Sequence, residues 1–167
     1  RTMKLLVVVR NPTKRAISDY AQLKSKNPKL PAFETYITSD KQETVLKVSD
    51  NCIDIGLYGK HLKNGLLYFQ INQIHFVSGE ELSTNPAKEL KAVEQFLNLN
   101  SAINEKDFVF NKTKGFPCFR SKASQGQRVA FSCLGSTKGR PHPKVHQDII
   151  DKLDKYYEPH NKLLYRM

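Results

Sequence analysis

The strongest chemical signal in the chain comes from the residues after a short apolar run near its start. The segment from Arg10 to Ser18 reads RNPTKRAIS, so an arginine precedes a proline that suits the first turn of a helix. An arginine at the carboxyl end of a buried strand, facing the positive end of a helix dipole, is suited to hold a phosphate or sulfate group. Ser18 adds a hydroxyl donor if its helix face looks back towards Arg10. The alternative is a structural arginine paired with a carboxylate, and the residues alone leave both interpretations open.

A second candidate site is the segment from Gly135 to His142, which reads GSTKGRPH. Lys138 and Arg140 are separated by Gly139, and two cations in such a loop can surround an anion while backbone N–H groups approach it. The alternative is a flexible basic loop. The five histidines are scattered along the chain, and among them His142 is the one placed to touch a ligand of this loop.

The charge of the chain favours an anionic partner. Its 167 residues include 27 Lys and Arg against 16 Asp and Glu, a net charge of +11. The stretch from residue 111 to 144 has eight basic residues and no acidic one. A merely soluble surface is the alternative. A nucleic-acid partner is disfavoured, because the aromatic residues do not alternate with basic ones in an RNA-binding pattern. The sequence also shows no helix-turn-helix. The longest apolar run, from Leu5 to Val9, is too short to cross a membrane.

The three cysteines allow two interpretations. Cys118 and Cys133 flank a polar loop, and a disulfide closing a loop of that size would stabilise the chain by about 3 kcal/mol. The alternative is two unrelated thiols. No CxxC spacing is present, so the sequence predicts no metal site. Cys52 precedes Ile53 and is expected to be a buried free thiol.

The elements that must position these residues follow an α/β pattern. The apolar run from Lys4 to Arg10 predicts a strand buried on both faces of a parallel sheet, and residues 13–23 predict the helix after it. A strand over residues 73–78 and a helix from Asn85-Pro86 repeat that order, so the class is α/β with a parallel sheet. No repeat or domain boundary is evident. Further expected elements are a short helix within 33–50, a helix over 54–69, a strand at 108–110, a loop-rich basic region and a helix from about 145 to 157.

Several long segments of the chain resemble the heparan sulfate glucosamine 3-O-sulfotransferase family. They occur in family order and extend from Lys4 to about Tyr165. The matching segments read LLVVVRNPTKRAISDYAQ, QIHFVSGEEL, NPAKELKAVEQFLNL, FVFNKTKGFPCF and CLGSTKGRPHP.

The resemblance implies the C-terminal portion of one sulfotransferase domain, covering residues 1–167. The implied fold is a P-loop-like sulfotransferase fold, a parallel sheet flanked by helices, with its N-terminal P-loop portion missing from this chain. The implied reaction moves a sulfuryl group from 3′-phosphoadenylyl sulfate (PAPS) to the 3-OH of a glucosamine in heparan sulfate. Family members are Golgi enzymes anchored in the membrane, so the implied location is the Golgi lumen, and no metal is implied.

The resemblance also implies roles for individual residues. Arg10 and Ser18 would hold the 3′-phosphate of the nucleotide, and the loop formed by Thr137, Lys138, Gly139, Arg140 and Pro141 would close over it. Gln22, Lys138 and Arg140 would meet the sulfated saccharide. Cys118 and Cys133 match the disulfide pair of the family, and Asn111, which begins an Asn-Lys-Thr sequon, matches a glycosylation position.

Two parts of the family's active site are expected to lie N-terminal to this chain. They are the P-loop-like segment that grips the 5′-phosphosulfate and the glutamate that acts as general base on the sugar hydroxyl. In-line transfer of the sulfuryl group needs a positioned base at the sugar hydroxyl and cations at the bridging oxygen of PAPS. Activity of this chain alone is therefore not expected. A non-catalytic fragment that binds heparan sulfate or another polyanion is the alternative function.

Overall fold

The computed structural model describes residues 3–40, 45–113, 115–120, 131–135 and 138–167. The chain divides into two compact units, each assembled from distant segments. Unit 1 contains Arg1–Val9 and Ile71–Gly139, and unit 2 contains Arg10–Gln70 and Arg140–Met167. In chain order the described elements are β1 (Leu5–Val9), α1 (Pro12–Lys26), α2 (Phe33–Ile37), α3 (Asn51–Asp54), α4 (Tyr58–Gly65), β2 (Ile74–Ser78), α5 (Gly79–Thr84), α6 (Pro86–Leu97), β3 (Phe108–Asn111), β4 (Phe116–Arg120), β5 (Phe131–Ser132) and α7 (Gln147–Tyr165).

Unit 1 contains the predicted parallel strand pair. β1 and β2 run parallel in a register that pairs Leu6 with His75 and Val8 with Val77. α6 packs against β2, where the His75 ring stacks on Phe96 with centroids 5.1 Å apart. The parallel α/β prediction is confirmed.

The expectation that β1 is buried on both faces is wrong. Leu6 is 45% exposed and Val8 is 58% exposed, whereas Val77 beside them is buried. Residues paired across a parallel register share a face, so Leu6 and Val8 lie on the face that α6 covers above β2. The helix covers the β2 half of that face and leaves the β1 half in contact with solvent.

Side-chain caps place the two helices that follow β2. Asn85 accepts a hydrogen bond from the Lys88 N–H at 3.4 Å, and Pro86 occupies the first turn, which confirms the predicted start of α6. Ser78 caps α5 through the Glu81 N–H at 3.1 Å. The sequence interpretation missed α5, because its six residues are too few to show a helical period. α6 ends at Leu97, and its C-cap Asn98 adopts the left-handed conformation with φ of 56°.

An antiparallel sheet of β3, β4 and β5 completes unit 1. The strand predicted at residues 108–110 is confirmed as β3, while β4 and β5 lie in the region expected to be loop-rich. A disulfide joins Cys118 in β4 to Cys133, just after β5, so the pairing that the resemblance implies is present.

Unit 2 is built around a helical core. Tyr157 of α7 is fully buried, and its hydroxyl donates to the Ile53 carbonyl of α3 at 2.9 Å. Cys52 is a buried free thiol, as predicted. The residues clustered in this core are Ala16, Ile17, Tyr20, Phe33, Ile37, Cys52, Ile53, Leu57, Ile149, Leu153 and Tyr157.

The helix predicted over residues 54–69 is present only as α4, Tyr58–Gly65, so its predicted bounds are wrong. α3 ends at Asp54 and α4 begins at Tyr58. Between them, Gly56 lies so close to the Tyr157 ring that a Cβ there would be 2.8 Å from a ring carbon. The absence of a side chain at Gly56 therefore leaves room for the largest buried side chain of the unit.

α7 is longer than the sequence predicts. It continues to Tyr165 through Pro159, although the expected end was near Tyr157. A proline inside a helix removes one backbone hydrogen bond. α7 nevertheless continues past Pro159, and α4 packs against it there. Among the described residues, none of the helices has an apolar stretch that could cross a membrane.

Two glycines of α4 provide a matched test of this packing. A Cβ at Gly59 would lie 2.9 Å from the His160 carbonyl oxygen of α7, whereas nothing lies within 4 Å of one at Gly65. Gly59→Ala should lower the free energy of unfolding by about 1–3 kcal/mol through overpacking. Gly65→Ala should leave it unchanged or raise it by up to about 1 kcal/mol, because alanine favours the helix. Urea denaturation of both variants measures the difference, and equal effects would contradict the close packing of α4 on α7.

Candidate functional site

Arg10 lies at the junction where β1 ends and α1 begins. Asn11 caps α1 by accepting the Lys14 N–H at 2.9 Å, and Pro12 occupies the first turn. Pro12 has no backbone N–H, and the N–H of Lys14 is already bonded to Asn11, so neither position can donate a hydrogen bond to a ligand. The helix dipole still favours an anion here, but side-chain donors such as Arg10 must supply the directed hydrogen bonds. Arg10 is half-buried, and its Nε atom is shielded from solvent.

His142 lies within electrostatic range of Arg10 in unit 2. Partial shielding of its ring from water lowers the pKa of His142, and the positive charge of Arg10 lowers it further. The imidazole is therefore neutral at pH 7, and it offers a hydrogen bond beside a fixed positive charge. An anion bound to Arg10 would favour the protonated form, so this pair is suited to a doubly charged group such as a phosphate.

Ser18 and Gln22 share one face of α1. They lie seven and eleven positions after Asn11, spacings that return to nearly the same direction at 3.6 residues per turn. The opposite face of the helix contains Ala16, Ile17 and Tyr20, which are buried in the core of unit 2. Ser18 and Gln22 therefore face away from the core. Around the helix axis, Ser18 points in nearly the same direction as the capping residue Asn11.

Arg15, the second arginine of this segment, has a structural role. Its guanidinium donates to the Cys52 carbonyl and contacts an Asp19 carboxylate oxygen at 3.3 Å. Burial, together with the nearby Asp19 and Asp50 carboxylates, raises the pKa of the Cys52 thiol to about 12. That thiol is protonated at neutral pH and does not act as a nucleophile.

The basic loop from Gly135 to His142 is exposed along most of its described length. The Lys138 N–H donates to the Gly135 carbonyl at 3.0 Å, and Gly139 has φ of 67°, a conformation that favours glycine. Lys138 and Gly139 belong to unit 1, and Arg140 and Pro141 belong to unit 2. Thr137, another predicted residue of this loop, lies outside the described residues.

Asn111 lies at the end of β3, beside the disulfide. Its Oδ1 accepts the Thr113 N–H at 3.0 Å, and its Nδ2 lies 3.9 Å from Cys133 Sγ. The sequon therefore forms a local turn at the end of the hairpin strand, next to the cross-link.

Two buried carboxylates serve the fold. Glu34 Oε1 accepts the His146 N–H at 3.2 Å, and Glu94 Oε1 accepts the Ala102 N–H at 3.0 Å. Glu34 thereby fixes the backbone just before α7, and Glu94 fixes the backbone that follows α6. Across the described ranges, no group of three or more His, Cys, Asp and Glu side chains is arranged to hold a metal.

Comparisons with known proteins concern the family and the fold of the chain. The family model described as "Sulfotransferase domain" matches residues 1–166. The human protein named heparan sulfate glucosamine 3-O-sulfotransferase 3B1 is 46% identical over 98% of this chain, and human 3-O-sulfotransferase 6 is also 46% identical over 98%. Human 3-O-sulfotransferase 5 is 38% identical over 99%.

A solved structure matches the fold. The crystal structure of a sulfotransferase from Alicyclobacillus acidocaldarius superposes with a TM-score of 0.63 at 17% sequence identity, over 96% of this chain and 52% of that one. The chain spans 41% of the length of the 3B1 relative and 47% of relatives 5 and 6. From the family match and the shared fold, the chain belongs to the sulfotransferase family, and its similarity within that family is to the heparan sulfate glucosamine 3-O-sulfotransferases.

Proposed function

We propose that this chain is part of an enzyme that transfers a sulfuryl group from PAPS to the 3-OH of a glucosamine in heparan sulfate. The observation that carries the proposal is the position of Arg10, half-buried directly before a capped helix and within electrostatic range of His142. The names of the relatives support the substrate, and the family match supports the reaction class.

On the donor side, Arg10 would form a charged hydrogen bond with the 3′-phosphate of the nucleotide, and Ser18 would add a hydroxyl. The arrangement of α1 supports this division, because its polar face carries Ser18 while its apolar face is fixed in the core. The loop from Thr137 to Pro141 would close over the nucleotide, and Gly139 allows the backbone to turn there.

On the acceptor side, Gln22, Lys138 and Arg140 would contact the saccharide. Heparan sulfate carries sulfates and carboxylates, and the net charge of +11 on the chain favours such a polyanion. Nucleic acid is not the proposed partner.

The general base is proposed to come from sequence outside these 167 residues. The two buried carboxylates, Glu34 and Glu94, each accept a backbone N–H and are thereby committed to the fold. The complete enzyme would work in the Golgi lumen. The disulfide between Cys118 and Cys133 fits that oxidising route, and Asn111 is the proposed glycosylation site.

A second candidate function is binding of heparan sulfate without transfer. It is favoured by one observation: the stretch from residue 111 to 144 has eight basic residues and no acidic one, which suits a polyanion whether or not sulfate is transferred. The two candidates differ in whether a PAPS-type nucleotide binds.

Arg10→Ala tests the donor site. Loss of a charge-assisted hydrogen bond should weaken binding of 3′-phosphoadenosine 5′-phosphate by about 1.5–3 kcal/mol. Isothermal titration calorimetry measures the change. Lys26→Ala, in the last turn of α1, removes the same charge far along the helix and should leave the affinity nearly unchanged. Equal losses in the two variants would show that Arg10 contributes only general charge.

A fusion tests the division of the active site. The 167 residues alone should transfer no sulfate from PAPS to N-sulfated heparan oligosaccharides. Fusing them to the preceding part of the 3B1 relative's sulfotransferase domain should supply the missing base and restore transfer, and Lys138→Ala in the fusion should raise the KM for the saccharide. A radiolabelled sulfate transfer assay measures both. Transfer by the unfused chain would place the base among these residues instead.

A further inference from the structure

Unit 1 contains two neighbouring cavities outside the residues assigned to the donor and acceptor sites. The larger measures about 670 Å³, the smaller about 190 Å³, and both are lined in part by Glu105. They lie where α6, the turn before β3, and the β3–β4 hairpin meet. The larger cavity is lined by cations and the smaller one by aromatic and other apolar side chains.

The larger cavity is rich in cations. Three elements contribute one cation each: Lys91 from the middle of α6, Lys106 from the turn at Glu105–Asp107, and Arg120 from the end of β4. Of the two carboxylates on the lining, Asp107 accepts the Asn104 N–H at 2.8 Å and so caps its own turn. Because three separated elements bring positive charge to one concave surface, an anionic group is the ligand that complements it.

The smaller cavity has an aromatic wall. The strand register places Phe108, Phe110 and Pro117 on one face of the antiparallel sheet, and these residues line the cavity with Pro86 and Ala87 of α6. Phe110 is 53% exposed, so its ring presents a flat apolar surface to solvent. A pyranose ring matches such a wall, since its C–H face is apolar while its hydroxyls reach polar groups at the rim. Those polar groups are Thr84, Asn85 and Glu105.

We propose that the two cavities form an accessory binding site for an acidic polysaccharide. A sugar ring packs on Phe110, and the sulfate or carboxylate groups of the adjoining residues bind Lys91, Lys106 and Arg120. The choice of polysaccharide rests on the proposed function. The residues that line the two cavities do not include Gln22, Lys138 or Arg140, so the site would hold another part of the polysaccharide whose glucosamine is modified. Holding one substrate chain at two places raises its effective concentration at the second site.

The first experiment removes the three cations. The variant Lys91→Gln/Lys106→Gln/Arg120→Gln is titrated with a sulfated heparin octasaccharide by calorimetry. Its affinity should fall by about tenfold or more, as expected for the loss of charged hydrogen bonds worth at least 1.4 kcal/mol. The control Lys29→Gln/Lys63→Gln/Lys155→Gln removes the same charge from exposed positions of unit 2 and should lose less than about threefold, an effect of net charge alone. Equal losses in the two variants would overturn the proposal, as would a wild-type chain that does not bind.

Four further variants keep the test decisive if the triple variant does not fold. Lys106→Gln/Arg120→Gln changes only exposed residues and should still weaken binding by severalfold. Phe110→Ala should weaken it as well, whereas Phe110→Tyr keeps the ring and should retain the affinity. Phe110→Ala binding at wild-type affinity would remove the aromatic wall from the site. Glu105→Gln should bind as tightly as wild type or more tightly, and a large loss there would mean that a carboxylate, not the cations, recognises the ligand.

Nucleotide binding separates this proposal from the proposed function. All of these variants should bind 3′-phosphoadenosine 5′-phosphate as the wild-type chain does. If the wild type binds the octasaccharide through the three cations but binds no nucleotide, the accessory site stands and the sulfotransferase assignment of the donor pocket fails. If nucleotide binds and the triple variant matches its control, the donor pocket stands and the accessory site fails.

Discussion

The contact of Arg15 with α3 is the interaction on which the geometry of unit 2 depends. Its guanidinium donates to the Cys52 carbonyl of α3 and contacts an Asp19 carboxylate oxygen at 3.3 Å. The Tyr157 hydroxyl of α7 lies within electrostatic range of Arg15 and donates to the Ile53 carbonyl of α3. A half-buried cation is stable there only because carbonyl and carboxylate oxygens lie against it. Hydrogen bonds thus join both α1 and α7 to α3, and the orientation of α1 determines where Ser18 and Gln22 face.

This arrangement divides the arginines of one short segment into two roles. Arg15 is committed to oxygens of its own unit, so it contributes to folding and offers little to a ligand. Arg10 precedes the helix cap, within electrostatic range of His142, and keeps its charge near the surface. Because Asn11 and Pro12 already account for two of the first amide positions, the affinity of this site for an anion depends on side chains more than on the helix itself.

The parts of the fold that the sequence predicts well are those with local causes. An Asn-Pro pair caps and starts both α1 and α6, and a β-branched run forms β1, so these elements follow from a few adjacent residues. The break at Gly56 and the passage of α7 through Pro159 depend on packing between distant segments, which periodicity does not report. The same holds for the sites. Arg10 stands next to its helix in sequence, whereas Lys91, Lys106 and Arg120 converge only after the hairpin folds against α6.

The burial of Cys52 has a consequence for oxidative folding. A chain with three cysteines can form three different intramolecular disulfides, or link to a second chain through the one left over. Exchange requires a thiolate that can reach a disulfide sulfur, and Cys52 is 1% exposed with its pKa raised to about 12. Once unit 2 has folded, its thiol is withdrawn from exchange, so the bond between Cys118 and Cys133 is kinetically protected from scrambling by the odd cysteine.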